Sequence, residues 1–193
     1  MPATPPANTG RPTRGSRSSR GSSNASQRLL TRRKSAWTRL GALNSQSSEL
    51  RLNLSATLDA PPGVVFRACT EPDELAKWWG PAGFTSPSVE LDVRPSGRYR
   101  IAMQPPDGEL FHLSGEFREV DPPARLSYTF EWEEPDPDDQ PTIVTLSLVD
   151  RGESTELILD QGPFATEARR ALHEAGWGDS FVRLSEVVRP VPD

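Results

Sequence analysis

The sequence predicts an α+β domain, a curved antiparallel sheet closed by one long helix, carried behind a basic tail. Three observations predict it. Charge divides the chain: residues 1–48 hold eight arginines and Lys34 with no acid, a charge of +9, whereas residues 49–193 hold 13 basic and 27 acidic side chains, −14. A run of alternating apolar and polar segments joined by short turns fills most of the acidic part. A helical recurrence about 25 residues long then ends it.

The tail, 1–48, is rich in Ser, Arg, Pro and Gly, as in GRPTRGSRSSRGSSNAS. It has too few large apolar side chains to offset the entropy of ordering, so it is expected to be disordered. It holds no apolar core of a secretory signal, and the chain has no run of 18 apolar residues to span a membrane. One stretch, QRLLTRRKSAWTRLGAL, could gather Leu29, Leu30, Trp37, Leu40 and Leu43 on one helical face beside Arg28, Arg32, Arg33 and Arg39. A solvated tail, an over-extended gene start, an organelle-targeting presequence and a helix for an anionic membrane or RNA all stay open. Deleting residues 1–45 is expected to leave the domain intact, because the strand near Leu50 is the first segment able to bury apolar surface.

The domain, 49–193, starts with LRLNLSATLDA, where Leu50, Leu52, Leu54 and Ala56 alternate with polar residues as in a half-buried strand. PPGVVFRACTEP follows as a helix with prolines in its first turn, ending at Glu71 because a residue before proline is driven out of helical geometry. PDELAKWW is a second short helix, stopped by Gly80-Pro81. Six strands come next: about 86–93, GRYRIAM, ELFHLSGEFREV, RLSYTFEW, TIVTLSLVD and STELILDQ. Turns such as Pro95-Ser96-Gly97, Pro106-Asp107-Gly108 and Arg151-Gly152 separate them, and connections this short imply antiparallel neighbours. FATEARRALHEAGWGDSFVRLSEVV reads as the terminal helix, the only element long enough to cover the apolar face of such a sheet.

These segments carry a resemblance. VVFRACTEPDELAKWWGPAGF, RPSGRYRIAM, GEFREVDPPARLSYTFEW, STELILDQGPF and HEAGWGDSFVRL, taken in order, resemble the START-like, Bet v 1-like (SRPBCC) helix-grip proteins. Within them the blocks are most similar to the activator of heat-shock protein 90 ATPase homologues, over about residues 50–190. One departure is Ser96, where such relatives often have a first glycine before Gly97. The resemblance implies a sheet gripping the terminal helix around an apolar cavity. It does not imply one activity: relatives bind hydrophobic small molecules, act as cyclases or dehydratases, or assist the chaperone.

The candidate site residues are mostly aromatic. Trp78 and Trp79, two of the five tryptophans, point about 100° apart on a helix, so one can pack in the core while the other closes the cavity mouth. Both could equally be structural lids. GPAGF allows a sharp turn that returns Phe84 over the opening. Leu126, Tyr128, Phe130 and Trp132 share one strand face. On the terminal helix, Trp177 and Phe181 face the same space, and Gly176 and Gly178 suggest close approach to the sheet or to a bound molecule.

Catalytic, metal and cofactor patterns are sparse. His112, if inward, is the best acid–base candidate; an exposed or hydrogen-bonded His112 is the alternative. His173 either caps a turn or lies at the cavity end. Cys69, the only cysteine, reads as a small buried thiol, compatible with a reducing cytoplasm. EWEEPDPDDQP fails the EF-hand spacing, with Pro141 and Ser147 where glycine and glutamate are needed, and reads as a solvated hairpin loop. No phosphate cradle or dinucleotide fingerprint is present, and the acidic domain argues against nucleic acid. The expected function is binding of an apolar or amphipathic small molecule without cofactor or metal, through Trp78, Trp79, Phe84, His112, Tyr128, Phe130, Trp132, Trp177 and Phe181. A chaperone-associated or other protein-interaction module is the alternative, and a cyclase- or dehydratase-type enzyme using His112 or an inward carboxylate the third reading.

Overall fold

The computed structural model describes residues 49–190, so the tail 1–48 and its Leu29–Leu43 pattern lie outside the described residues. Strand β1 (Leu50–Leu58) leads into helices α1 (Pro62–Thr70) and α2 (Pro72–Trp78). Six strands follow, β2 (Thr85–Leu91), β3 (Arg98–Gln104), β4 (Phe111–Asp121), β5 (Arg125–Trp132), β6 (Thr142–Asp150) and β7 (Thr155–Phe164), then α3 (Glu167–Val188). The seven strands form one curved antiparallel sheet in the order β1-β7-β6-β5-β4-β3-β2. Only β1 sits away from its sequence neighbours. The first strand joins the last, with Leu52 opposite Gln161 and Leu58 opposite Thr155, and the helix pair bridges to β2 at the far edge.

Local chemistry sets the boundaries. Pro62 and Pro72 occupy the first helical positions of α1 and α2, where a missing N–H costs nothing. Glu71, held extended before Pro72 (ψ 124), closes one helix and opens the other. α2 stops at Trp78, because Trp79 is extended (ψ 132) and Gly80 turns left-handed at φ 92. α3 starts later than the apolar recurrence suggests. Phe164 ends β7 opposite Leu50, and the Thr166 hydroxyl caps the helix, accepting from the Arg169 N–H at 3.2 Å.

The concave face of the sheet and the helices share one core. Strand β6 shows the period-two pattern cleanly, with Thr142, Val144, Leu146 and Leu148 buried and the residues between them half-buried. Against this face α3 sets Trp177, Phe181, Leu184 and Val188, a stripe at i, i+4, i+7 and i+11. Full burial of each such side chain is worth about 1.5–3 kcal/mol. One buried polar chain threads this interface: the Trp177 indole donates to Gln161 Oε1 (2.7 Å), whose amide donates to Thr142 Oγ1 (2.9 Å).

Two expectations about glycine need correction. A Cβ at Gly178 would meet nothing within 4 Å, and one at Gly176 would reach only Pro81 Cγ at an ordinary 3.7 Å. Neither glycine serves tight helix–sheet packing. Gly97 and Gly115 are the demanding ones, since a Cβ would lie 1.9 Å from the Asp92 carbonyl oxygen at the first and 2.0 Å from that of Thr129 at the second. The turn keeps its shape despite Ser96, which adopts φ 63 and donates its N–H to the Phe117 carbonyl at 2.7 Å.

Candidate functional site

A cavity of about 590 Å³ opens between β3–β5, the loop after α2, and the first half of α3. Each wall has its own construction. On the sheet, Met103, Phe111, Phe130 and Trp132 project inward from three neighbouring strands. The 79–84 loop supplies Trp79, Gly80, Pro81 and Phe84. α3 supplies Arg169, His173, Gly176 and Ser180, again at i, i+4, i+7 and i+11, beside its core stripe. Gly176 is where helix backbone meets the cavity.

The aromatic walls are continuous. Phe84 meets Phe111 edge-on with ring centroids 6.3 Å apart, Phe111 meets Trp132 at 5.3 Å, and Trp132 meets Phe130 at 5.0 Å. Phe130 then contacts the His173 ring at 5.1 Å, and Phe164 backs that histidine at 5.0 Å. Between the 79–84 loop and α3, Trp79 stands edge-on to Trp177 at 5.2 Å. Such tilted and T-shaped pairs are the favoured geometries of aromatic quadrupoles, so the walls are mutually braced.

The tryptophan pair divides its work. Trp78 is fully buried and donates its indole N–H to the Ala68 carbonyl at 2.8 Å, tying α2 to α1. Trp79 turns to the cavity. Its loop is held by Arg183 of α3, whose Nη1 lies 3.2–3.3 Å from the carbonyls of Trp79, Gly80, Pro81 and Phe84. Nη2 donates to the Lys77 carbonyl at 2.9 Å, at the end of α2. Asp179 holds the same loop by accepting from the Ala82 N–H at 3.1 Å.

Of the residues expected to line a site, Trp79, Phe84, Phe130, Trp132 and Trp177 meet at this cavity. Trp78 and Tyr128 line a separate void of about 20 Å³ with Cys69, room for about one water. Burial pushes the Cys69 thiol up to about 12 and the Tyr128 phenol well above its usual value, so neither ionises near neutrality. Phe181 packs in the core, 6.0 Å from the Trp177 ring.

His112 is the clear correction. Leu113 faces Trp132 in the β4–β5 register, so His112 points to the opposite, outer face of the sheet. There its N–H donates to Glu134 Oε2 at 2.9 Å and its Nδ1 lies 3.2 Å from Oε1. Those bonds hold the Glu134 carboxyl below the usual carboxylate range. Among the described residues, His112, Glu133 and Glu134 are the grouping near enough to share a metal. Glu133 is already engaged by the Arg100 guanidinium at 2.8–2.9 Å.

His173 is the histidine of the cavity. Burial among Phe130, Trp132 and Phe164 pushes its pKa down to about 4, so the ring is neutral at pH 7. The acidic β5–β6 loop is also less free than a solvated hairpin. Arg169 pairs with Asp136, donates to Asp138 Oδ1 at 2.7 Å and lies 3.4 Å from Asp139, whose side chain is only 10% exposed. Thr166, the α3 cap, also donates to Asp138 at 3.1 Å. Loop and helix start therefore form one rim.

A curved sheet gripping a long helix, with an aromatic cavity between them, defines the START-like helix-grip class. Residues 59–189 match the family model "Activator of Hsp90 ATPase homolog 1-like protein", and the chain belongs to that family. Solved structures agree. Protein CV1439 from Chromobacterium violaceum is 28% identical, with TM-score 0.67 over 73% of this chain and 98% of that one. Protein NE0264 from Nitrosomonas europaea is 30% identical, with TM-score 0.62 over 73% and 95%. The AHSA1 protein from Silicibacter pomeroyi is 26% identical, with TM-score 0.61 over 70% and 95%. No curated protein matches the chain. No helix among the described residues is long and apolar enough to cross a membrane.

Proposed function

We propose that this chain binds an apolar or amphipathic small molecule between the sheet and α3. The observation that carries the reading is the 590 Å³ cavity itself, which falls in the size range of ligand sites and is walled mainly by apolar and aromatic side chains. Removing ligand surface from water would drive binding. His173, Ser180 and the rim charges would orient the molecule. The family's chaperone-activator name makes a protein partner the second candidate, but an interaction module alone does not need an interior of this volume. The acid–base reading through His112 loses the geometry it needed, because that side chain faces outward. A reducing compartment such as the cytoplasm suits the lone buried Cys69.

The test is titration with the neutral dye N-phenyl-1-naphthylamine, read by tryptophan emission and dye fluorescence, on the parent and on Gly176→Leu. The leucine side chain would project toward the cavity, and replacing a helical glycine favours the helix by about 0.5–1 kcal/mol. The parent should bind saturably with micromolar affinity, about −8 kcal/mol. Gly176→Leu should bind at least about tenfold more weakly while melting no lower. A parent without saturable binding, or a plugged variant that binds equally well, would refute the reading.

A further inference from the structure

Charge around the cavity is one-sided. Glu134, Asp136 and Asp139 from the β5–β6 loop and Asp179 from α3 line it, against the single cation Arg169. That cation is already balanced by three aspartates, Asp136, Asp138 and Asp139. Arg183 is turned away, toward the carbonyls of the 77–84 segment. His173 adds no charge at neutral pH, because its pKa is pushed down to about 4. A ligand carboxylate entering here would meet Asp136, Asp139 and Asp179 and no uncommitted cation, the Glu134 carboxyl being held by His112 on the outer face. An ammonium group would meet a net negative rim, since Asp136, Asp138 and Asp139 outnumber Arg169 and Asp179 accepts from the neutral Ala82 N–H.

We infer that the site selects an amphiphile with a cationic head, an ammonium or protonated amine on an apolar body, over a fatty acid of the same length. The inference rests on the reading that this cavity binds a ligand at all. The head sits at the rim, between the acidic loop and Asp179, and the body lies along Phe84, Phe111, Phe130 and Trp132. The carboxylates are partly exposed, so the preference weakens with salt.

Three probes of equal chain length separate the possibilities: dodecyltrimethylammonium, dodecanol and dodecanoate, each titrated below its micelle threshold by calorimetry and tryptophan emission. The ammonium should bind about tenfold or more tighter than dodecanoate, with dodecanol between them, and 0.5 M NaCl should narrow the gap. Asp179→Asn removes the charge yet keeps an oxygen for the Ala82 N–H. It should weaken the ammonium about threefold or more and leave dodecanol unchanged. Glu153→Gln, at the exposed β6–β7 turn away from the cavity, should change nothing. Dodecanoate binding as well as the ammonium would overturn the selectivity and leave the binding reading standing. Equal losses in Asp179→Asn and Glu153→Gln would trace the preference to net charge and overturn the rim assignment. If none of the three binds, the cavity reading falls and the inference with it.

Discussion

Replacing Arg183 with methionine keeps most of the side-chain stem and removes the guanidinium that gathers the loop after α2. Nη1 has two hydrogens but four carbonyls within 3.2–3.3 Å, and Nη2 holds the Lys77 carbonyl at 2.9 Å, so about three hydrogen bonds disappear. The carbonyls of Lys77, Pro81 and Phe84 lie on exposed or half-buried residues and can turn to water; those of buried Trp79 and Gly80 cannot readily do so. Two orphaned acceptors at about 1–3 kcal/mol each give an expected loss of about 3 kcal/mol. For a chain of this size that lowers Tm by about 6–12 °C. Arg183→Lys should recover less than half, since a point charge cannot span the fork. The assay is urea unfolding at pH 7 followed by circular dichroism, with dye titration alongside. Arg183→Met should also weaken the dye, because Trp79 and Phe84 lose their anchor. A stability change below about 0.5 kcal/mol would refute this account of how the cavity wall is held.

Four further outcomes follow from single residues. His173 has a folded pKa of about 4 against an ordinary 6.5, so between those values the unfolded chain holds a proton that the native state does not. Its contribution therefore makes stability fall as pH drops from 6.5 toward 4, by up to about 1.4 kcal/mol per pH unit, and His173→Phe should flatten the measured slope in that window. Ser96→Gly should raise stability by about 0.5 kcal/mol, relief of a left-handed serine offset by the freer unfolded glycine, whereas Gly97→Ala should abolish cooperative folding in the same melt. Gln161→Leu should cost about 3 kcal/mol in denaturant unfolding by leaving the buried Trp177 N–H and the Thr142 hydroxyl without their shared partner.

Most of the fold was legible because its signals are local. Prolines at 62 and 72 fix helix starts, Gly80-Pro81 marks the stop, and alternation in β1 and β6 names the buried face directly. Strand alternation named one face of the candidate cavity, that of Phe130 and Trp132, but could not separate from it Tyr128, which shares the face and lines the smaller void. It failed at His112, where alternation placed Phe111 and Leu113 on one face without saying which face is concave. That depends on the pairing of Leu113 with Trp132, a long-range fact. The helix wall carries a readable signal beyond His173 and Gly176: with Arg169 and Ser180 they share one stripe, whose small and polar members mark a surface that is not core. The role of Arg183 left no local trace, since its partners lie about 100 residues earlier.

The central claim, that a ligand occupies the cavity between sheet and α3, is tested most directly by the tryptophan indole N–H signals in a ¹H–¹⁵N correlation spectrum during titration with dodecyltrimethylammonium or the neutral dye. Trp79 and Trp132 line the cavity, and Trp78 is sealed behind it with its N–H on the Ala68 carbonyl. The account predicts saturable shifts of the Trp79 and Trp132 signals, a smaller one for Trp177 because Gln161 pins its N–H, and an unmoved Trp78. Shifts confined to Trp78, or no shift in any of the four at saturating ligand, would contradict it.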